Sequence, residues 1–266
     1  MSVSRIIEAA RAEGRAALVG YLPVGFPTVT GSIEAMEVLV RSGVDIVEVG
    51  VPYSDPVMDG PVIQDAAVRA LASGVRLADT FDAVRAVSAA GAGALVMTYW
   101  NPVLRYGADR FAADLAAAGG DGLITPDLIP DEAGDWIRAA DRHDLDKVFL
   151  VAPSSTPERL AAVTSQCRGF VYATAVMGVT GARSSVGDAA EDLVSRTRAV
   201  TDLPVCVGLG VSSGDQASQV ARFADGVIVG SALVRCLTEA ASPEAGLRAL
   251  EQLARELADG VRRGHR

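Results

Sequence analysis

Residues 45–61 read DIVEVGVPYSDPVMDGP and place two carboxylates, Glu48 and Asp59, on either side of one proline-punctuated loop. Glu48 lies near the far end of a strand-like run, residues 44–49, between Val47 and Val49. Asp59 sits on the loop beside Gly60 and Pro61. An unpaired charge is costly to bury, so an acid in such a strand needs a partner, a proton or a substrate. Two acids in different environments can divide acid and base work between them. Desolvation between valines raises a carboxyl pKa, which makes Glu48 the expected proton carrier, while Asp59 is expected to stay ionised.

Other reactive groups are scarce. The 266-residue chain has two histidines, His143 and His265, and one lysine, Lys147. No His/Cys cluster has metal-ligand spacing. The cysteines, Cys167, Cys206 and Cys236, are odd in number and isolated, which suggests free thiols in a reducing cytoplasm. A formal net charge of −9 argues against a nucleic-acid surface. No apolar run approaches the ~18 residues of a membrane span. The first fifteen residues, MSVSRIIEAARAEGR, have the pattern of a short amphipathic helix rather than a signal peptide.

The elements that must hold these groups alternate. Strand-like runs occur at 17–22, 44–49, 94–99, 122–125, 148–151, 169–174, 205–207 and 227–229. Helically spaced segments lie between them, among them 33–40, 109–118, 132–140, 157–164 and 188–200. Eight such units predict a single-domain α/β fold, a (β/α)8 TIM barrel over 1–266 with extra N-terminal and C-terminal helices, the last over 243–266. An open doubly wound sheet is the alternative. The segments SGVDIVEVG, GGDGLITPD and FADGVIVG repeat one pattern, an Asp followed by a strand and a Gly or Pro turn, as recurring βα units do.

In this fold chemistry belongs to the carboxyl ends of the strands. Glu48, Asp59, Tyr99, Asn101, Asp127, Tyr172 and Thr180 fall there, and Lys147 falls at the opposite face, unsuited to a Schiff base. Tyr21, Ile63, Met97, Tyr99 and Tyr172 are candidates for an apolar wall, while Trp100, Trp136 and Cys206 read as packing residues. The last two βα turns, Gly208-Leu209-Gly210 and Gly230-Ser231, are glycine-rich where such barrels hold phosphate on backbone amides. A dinucleotide reading of the first turn fails, because Asp225 opens the next strand instead of closing it. Residues 177–187, rich in glycine and small polar residues, suit an active-site lid.

The segments VEVGVPYSDPVMDGPVIQ, MTYWNPV, VYATAVMGVTGAR, VGLGVSS and VIVGSALV, in this order, closely resemble the tryptophan synthase alpha subunit family from about Gly20 to Leu237. The resemblance implies an aldol-type lyase that cleaves indole-3-glycerol phosphate to indole and glyceraldehyde 3-phosphate. Glu48 then matches the proton-shuttling acid/base, and Asp59 the carboxylate that steadies the indole nitrogen. Tyr172 matches a pocket tyrosine, Thr180 and Gly181 match lid positions, and Gly181, Gly210, Gly230 and Ser231 match the phosphate site. The resemblance implies no cofactor in this chain. Indole would pass to a pyridoxal-phosphate (PLP) beta subunit in an α2β2 assembly, contacted through Pro52, Tyr53, Asp55 and the loop around Asn101. The 50–60 loop would therefore be both catalytic and partner-facing, a physical route by which the partner could control the reaction.

The chemistry of the residues agrees. Breaking a C–C bond beside a hydroxyl needs an electron sink, and the chain offers neither a suitably placed lysine nor a metal cluster. An indole protonated at C3 can be that sink itself. Tyr21 and Leu209 stand at pocket positions that are often phenylalanine in the family, Met97 stands where leucine is common, and Ile129 adds a residue; these bear on pocket shape. Two other readings fit the barrel: a phosphate-binding regulatory subunit, against which Glu48 and Asp59 both argue, and another phosphosugar isomerase.

Overall fold

Apolar residues at consecutive rather than alternate positions mark strands covered on both faces, and the strands over 17–23, 46–50, 93–97 and 226–229 are of this kind. A computed structural model describes residues 2–174, 186–208 and 210–264. Its strands are β1 (Ala17–Pro23), β2 (Ile46–Gly50), β3 (Gly93–Met97), β4 (Gly122–Ile124), β5 (Asp146–Val148), β6 (Leu150–Val151), β7 (Val171–Thr174), β8 (Val205–Gly208) and β9 (Gly226–Val229). They form one parallel sheet in the order β5-β4-β3-β2-β1-β9-β8-β7-β6. The two ends of that order, β5 and β6, are consecutive in the chain, separated only by Phe149, whose carbonyl accepts the Tyr172 N–H at 3.2 Å. The sheet thus curls into a nearly closed barrel of eight staves. An open doubly wound sheet, whose edges lie far apart, is excluded. The fifth predicted strand begins two residues earlier than expected, at Asp146, and is interrupted at Phe149.

Strand periodicity sorts the side chains. Ala17, Val19 and Tyr21 point inward on β1 while Leu18 and Leu22 face the surrounding helices. Ile46, Leu95, Ile124, Val148, Phe170, Cys206 and Ile228 complete the inner core. The helix Val3–Ala12 plugs the amino end of the barrel, burying Val3, Ile7 and Ala10 against that core. The long C-terminal helix Pro243–Arg263 buries Leu250, Ala254, Leu257 and Val261 against the outer layer.

The recurring Asp of the three similar segments has a specific structural job at the amino end. Asp45 donates its N–H to the Leu18 carbonyl at 2.9 Å, and its carboxylate accepts the Leu18 N–H at 2.8 Å. Asp121 makes the same reciprocal pair with Ala94, at 2.8 and 2.9 Å, and Asp225 with Val205, at 2.9 and 2.9 Å. Each aspartate therefore satisfies an N–H at the start of a neighbouring strand, a donor that would otherwise be buried without an acceptor. Arg15 neutralises Asp45 through two bonds of 2.7 and 2.9 Å, and Arg11 and Arg198 flank Asp225. Asp146 instead turns to the plug, accepting the Val3 N–H at 2.7 Å and the Ser2 hydroxyl at 3.0 Å. Lys147, bonded to Asp141, lies at this same end.

Candidate active site

β2 carries Glu48 into the barrel interior at its carboxyl end, in register with Tyr21 of β1 and Leu95 of β3. The Glu48 side chain is 1 % exposed, and its Oε1 has no hydrogen-bond partner among the described residues. Burial alone pushes its pKa up to about 8. At neutral pH Glu48 is therefore a carboxylic acid holding a proton, in a place where a ligand must complete its bonding.

Asp59 reaches the same cavity from the loop. It stands directly before the helix Pro61–Ala72, whose first residue is the proline preferred at that position and whose N-terminus favours a negative charge. Gln64 Nε2 holds the Asp59 carbonyl at 2.8 Å and so fixes the entry to the helix. Burial raises the Asp59 pKa, and a hydrogen bond from the Tyr99 hydroxyl works against that rise. The two acids thus differ as expected in environment: one has burial alone, the other a donor that favours its anion.

Tyr99 is the anchor of the loop. It caps the helix Trp100–Tyr106, and its hydroxyl accepts the N–H groups of Val57 at 3.1 Å and Met58 at 2.9 Å. The Tyr53 ring stacks on Tyr99 with centroids 5.2 Å apart, and Asn101 Nδ2 donates to the Tyr53 hydroxyl at 3.2 Å. Asp127 accepts the Trp100 N–H at 2.9 Å, so this active-face acid serves to hold the helix N-terminus. Tyr99 itself stands behind Asp59 instead of lining the cavity.

The cavity holds about 240 Å³. Glu48, Asp59, Tyr21, Ile63, Met97 and Tyr172 form one part of its wall, and Gly210, Gly230 and Ser231 the other. Two tyrosine rings fit because glycines face them. A methyl group at Gly50 would fall 2.5 Å from Tyr21 Oη, and one at Gly208 would fall 2.6 Å from Tyr172 Oη. Gly210 has φ 73°, a backbone conformation natural to glycine, and Gly230 precedes the helix Ser231–Thr238. The opening N–H groups of a helix lack intrahelical acceptors and attract anions. No lysine or arginine lines the cavity among the described residues.

Thr180, Gly181 and Leu209 lie outside the described residues, as do positions 177–185 of the expected lid; Val186 and Gly187 open the helix Val186–Arg198. Pro52, Tyr53, Asp55 and Asn101 share the rim around the Tyr53–Tyr99 stack, with Asp55 exposed and bonded to the Ser54 hydroxyl at 2.6 Å. Sequence reasoning missed Met58, Gly60, Pro126, Leu150, Thr174 and Ile228, which line the cavity together with Gly208 of the glycine-rich turn. Strand parity was an available signal for several: Thr174 and Leu150 share the inward side with Tyr172, and Ile228 precedes Gly230 by two.

A parallel eight-stave barrel with two unlike carboxylates at its carboxyl mouth, opposite a glycine-rich helix start, has the architecture of the (β/α)8-barrel enzymes, which keep their active sites at that end. The family model for the tryptophan synthase alpha chain matches residues 7–262. The tryptophan synthase alpha chain of Mycobacteroides abscessus is 63% identical over 261 residues, covering 98% of this chain and 97% of that one. That of Salinispora arenicola is 66% identical over 253 residues, 95% of each. A solved structure of Mycobacterium tuberculosis tryptophan synthase superposes with a TM-score of 0.90 at 60% identity, covering 98% of both chains. The chain belongs to the tryptophan synthase alpha chain family, lyases of tryptophan biosynthesis whose reaction is the cleavage of indole-3-glycerol phosphate.

Proposed function

We propose that Glu48 and Asp59 carry out this cleavage as a proton carrier and an electrostatic stabiliser. The observation that carries the reading is the buried, protonated Glu48, whose Oε1 has no hydrogen-bond partner among the described residues, facing the cavity that Asp59 also lines. Glu48 gives its proton to indole C3. The positive charge that develops on the ring settles at the nitrogen, whose N–H points to the Asp59 carboxylate. The bond from C3 to the side chain then breaks, its electron pair returns to the ring, and neutral indole forms. The hydroxyl on the departing carbon loses its proton to the Glu48 carboxylate and becomes the aldehyde of glyceraldehyde 3-phosphate. Glu48 ends as it began. Each such positioned proton transfer typically contributes about 10²–10⁴-fold.

The phosphate is held by backbone amides at Gly210, Gly230 and Ser231, with Thr180 and Gly181 acting from a lid over 177–187. Tyr21, Ile63, Met97, Tyr172 and Leu209 shape the pocket. No step uses a metal or cofactor; PLP belongs to the beta subunit that receives indole in an α2β2 assembly. Pro52, Tyr53, Asp55 and Asn101 meet that partner. The exposure of Val57 (81%) on this loop and Leu104 (56%) on the Asn101 helix supports a contact there. Three free cysteines support a reducing, cytoplasmic setting. The test is release of indole from indole-3-glycerol phosphate, with and without a beta subunit; turnover of a non-indole phosphosugar instead would overturn the reading.

A further inference from the structure

Tyr21 has a hydroxyl that the fold does not use. The side chain is 8 % exposed and lies along the cavity wall. At one end, its Cβ and Cδ1 face the phosphate side: a methyl at Gly230 would fall 3.6 and 3.7 Å from them. At the other end, its Oη lies over Gly50, two residues beyond Glu48. Asp59, Glu48 and Tyr99 all bear electrostatically on the group, and burial together with these neighbours keeps the phenol neutral. Tyr21 lines the cavity, and no described side chain or backbone group is seen in a hydrogen bond with its hydroxyl. A buried phenol normally finds a partner, and phenylalanine would furnish the same wall without that need.

This inference rests on the reading of the site above. In that reading the indole N–H meets Asp59, the reacting carbon and its hydroxyl meet Glu48, and the phosphate meets the glycine turns. The Tyr21 ring spans the distance between the phosphate end and the acid end, so what passes alongside it is the three-carbon bridge. The second hydroxyl of that bridge has no other assigned partner. We propose that the Tyr21 hydroxyl hydrogen-bonds to a hydroxyl of the substrate's glycerol chain and selects the hydroxylated chain over a deoxygenated one.

The full chain and its Tyr21→Phe variant test this with two ligands: indole-3-glycerol phosphate as substrate, and indole-3-propanol phosphate, which lacks the bridge hydroxyls, as competitive inhibitor. The variant is expected to raise KM for the substrate by about 3- to 10-fold, the worth of one neutral hydrogen bond. The inhibition constant of the propanol analogue should move less than about twofold, since the analogue has nothing to lose. Equal weakening of both ligands, or an unmoved KM, would overturn the proposal while leaving the reading of Glu48 and Asp59 intact. An unaltered chain that neither cleaves the substrate nor binds the analogue would overturn both.

Discussion

The Tyr99 hydroxyl ties the catalytic loop to the barrel rim at the position of Asp59: it accepts the N–H groups of the two preceding loop residues, Val57 and Met58, at 3.1 and 2.9 Å, and donates to the Asp59 carboxylate. One side chain thus sets where the loop runs and opposes the rise that burial gives the Asp59 pKa. Its ring is in turn held by Tyr53, which Asn101 anchors. The rim expected to meet a partner and the acid expected to face the indole nitrogen are joined through a single stacked pair.

Tyr99→Phe keeps the stack and removes the three hydrogen bonds. Hydrogen bonds to charged groups contribute about 1.5–3 kcal/mol, so kcat/KM is expected to fall by at least about tenfold. Without the donor the Asp59 pKa rises further, and the acid limb of the activity profile moves to higher pH. A pH–rate profile with an unshifted acid limb would show that Tyr99 does not hold Asp59 in its anionic form.

Gly50 and Tyr21 make a second test. An added methyl at Gly50 meets Cε2, Cζ and Oη of the ring, all at 2.5 Å. Gly50→Ala is expected to cost about 1–3 kcal/mol through overpacking and to displace the ring into the cavity, lowering affinity for substrate. In a Tyr21→Ala background the same change should cost much less, because its obstacle is gone. Denaturant midpoints of the four proteins would show this; an equal cost in both backgrounds would place the clash elsewhere.

Glu48 makes stability depend on pH in a definite direction. Burial raises its pKa from 4.5 to about 8, so the folded state prefers the protonated form. The stability it contributes is fully present below the unfolded value and is lost as pH rises through about 8. Glu48→Gln is uncharged throughout. Relative to the unaltered protein the variant should gain stability between pH 4.5 and 8, by up to about 1.4 kcal/mol per pH unit. Paired thermal melts across that window check this, and a constant difference would mean that Glu48 is ionised in the ligand-free fold. The same proton is needed to begin the reaction, so kcat/KM should decline above about pH 8.

What could be read from the chain beforehand was periodic or chemically rare. The runs 17–22 and 44–49 are legible as strands from their apolar residues, and once they pair, Tyr21 stands beside Glu48. The Asp-strand-turn echo was visible as a repeat, but its cause was not: the reciprocal bonds of Asp45, Asp121 and Asp225 join residues 20 to 27 apart and appear only when strands pair. The same holds for the break at Phe149, set by where the ring of staves closes, and for Asp127, whose partner Trp100 opens the helix after another strand. Gly50 reads in the sequence as a turn glycine, and Gly208 as part of a phosphate-holding turn. Their facing tyrosines show that they are there for space.

The central claim is that Glu48 moves the proton that breaks the carbon–carbon bond. The most direct measurement is indole release from indole-3-glycerol phosphate by Glu48→Gln, with circular dichroism confirming the fold. Glutamine keeps the size of the side chain and cannot exchange the proton. The account predicts a fall in kcat of about 10²–10⁴-fold with the fold intact and the propanol analogue still bound. Retention of most of the activity by that variant would contradict it.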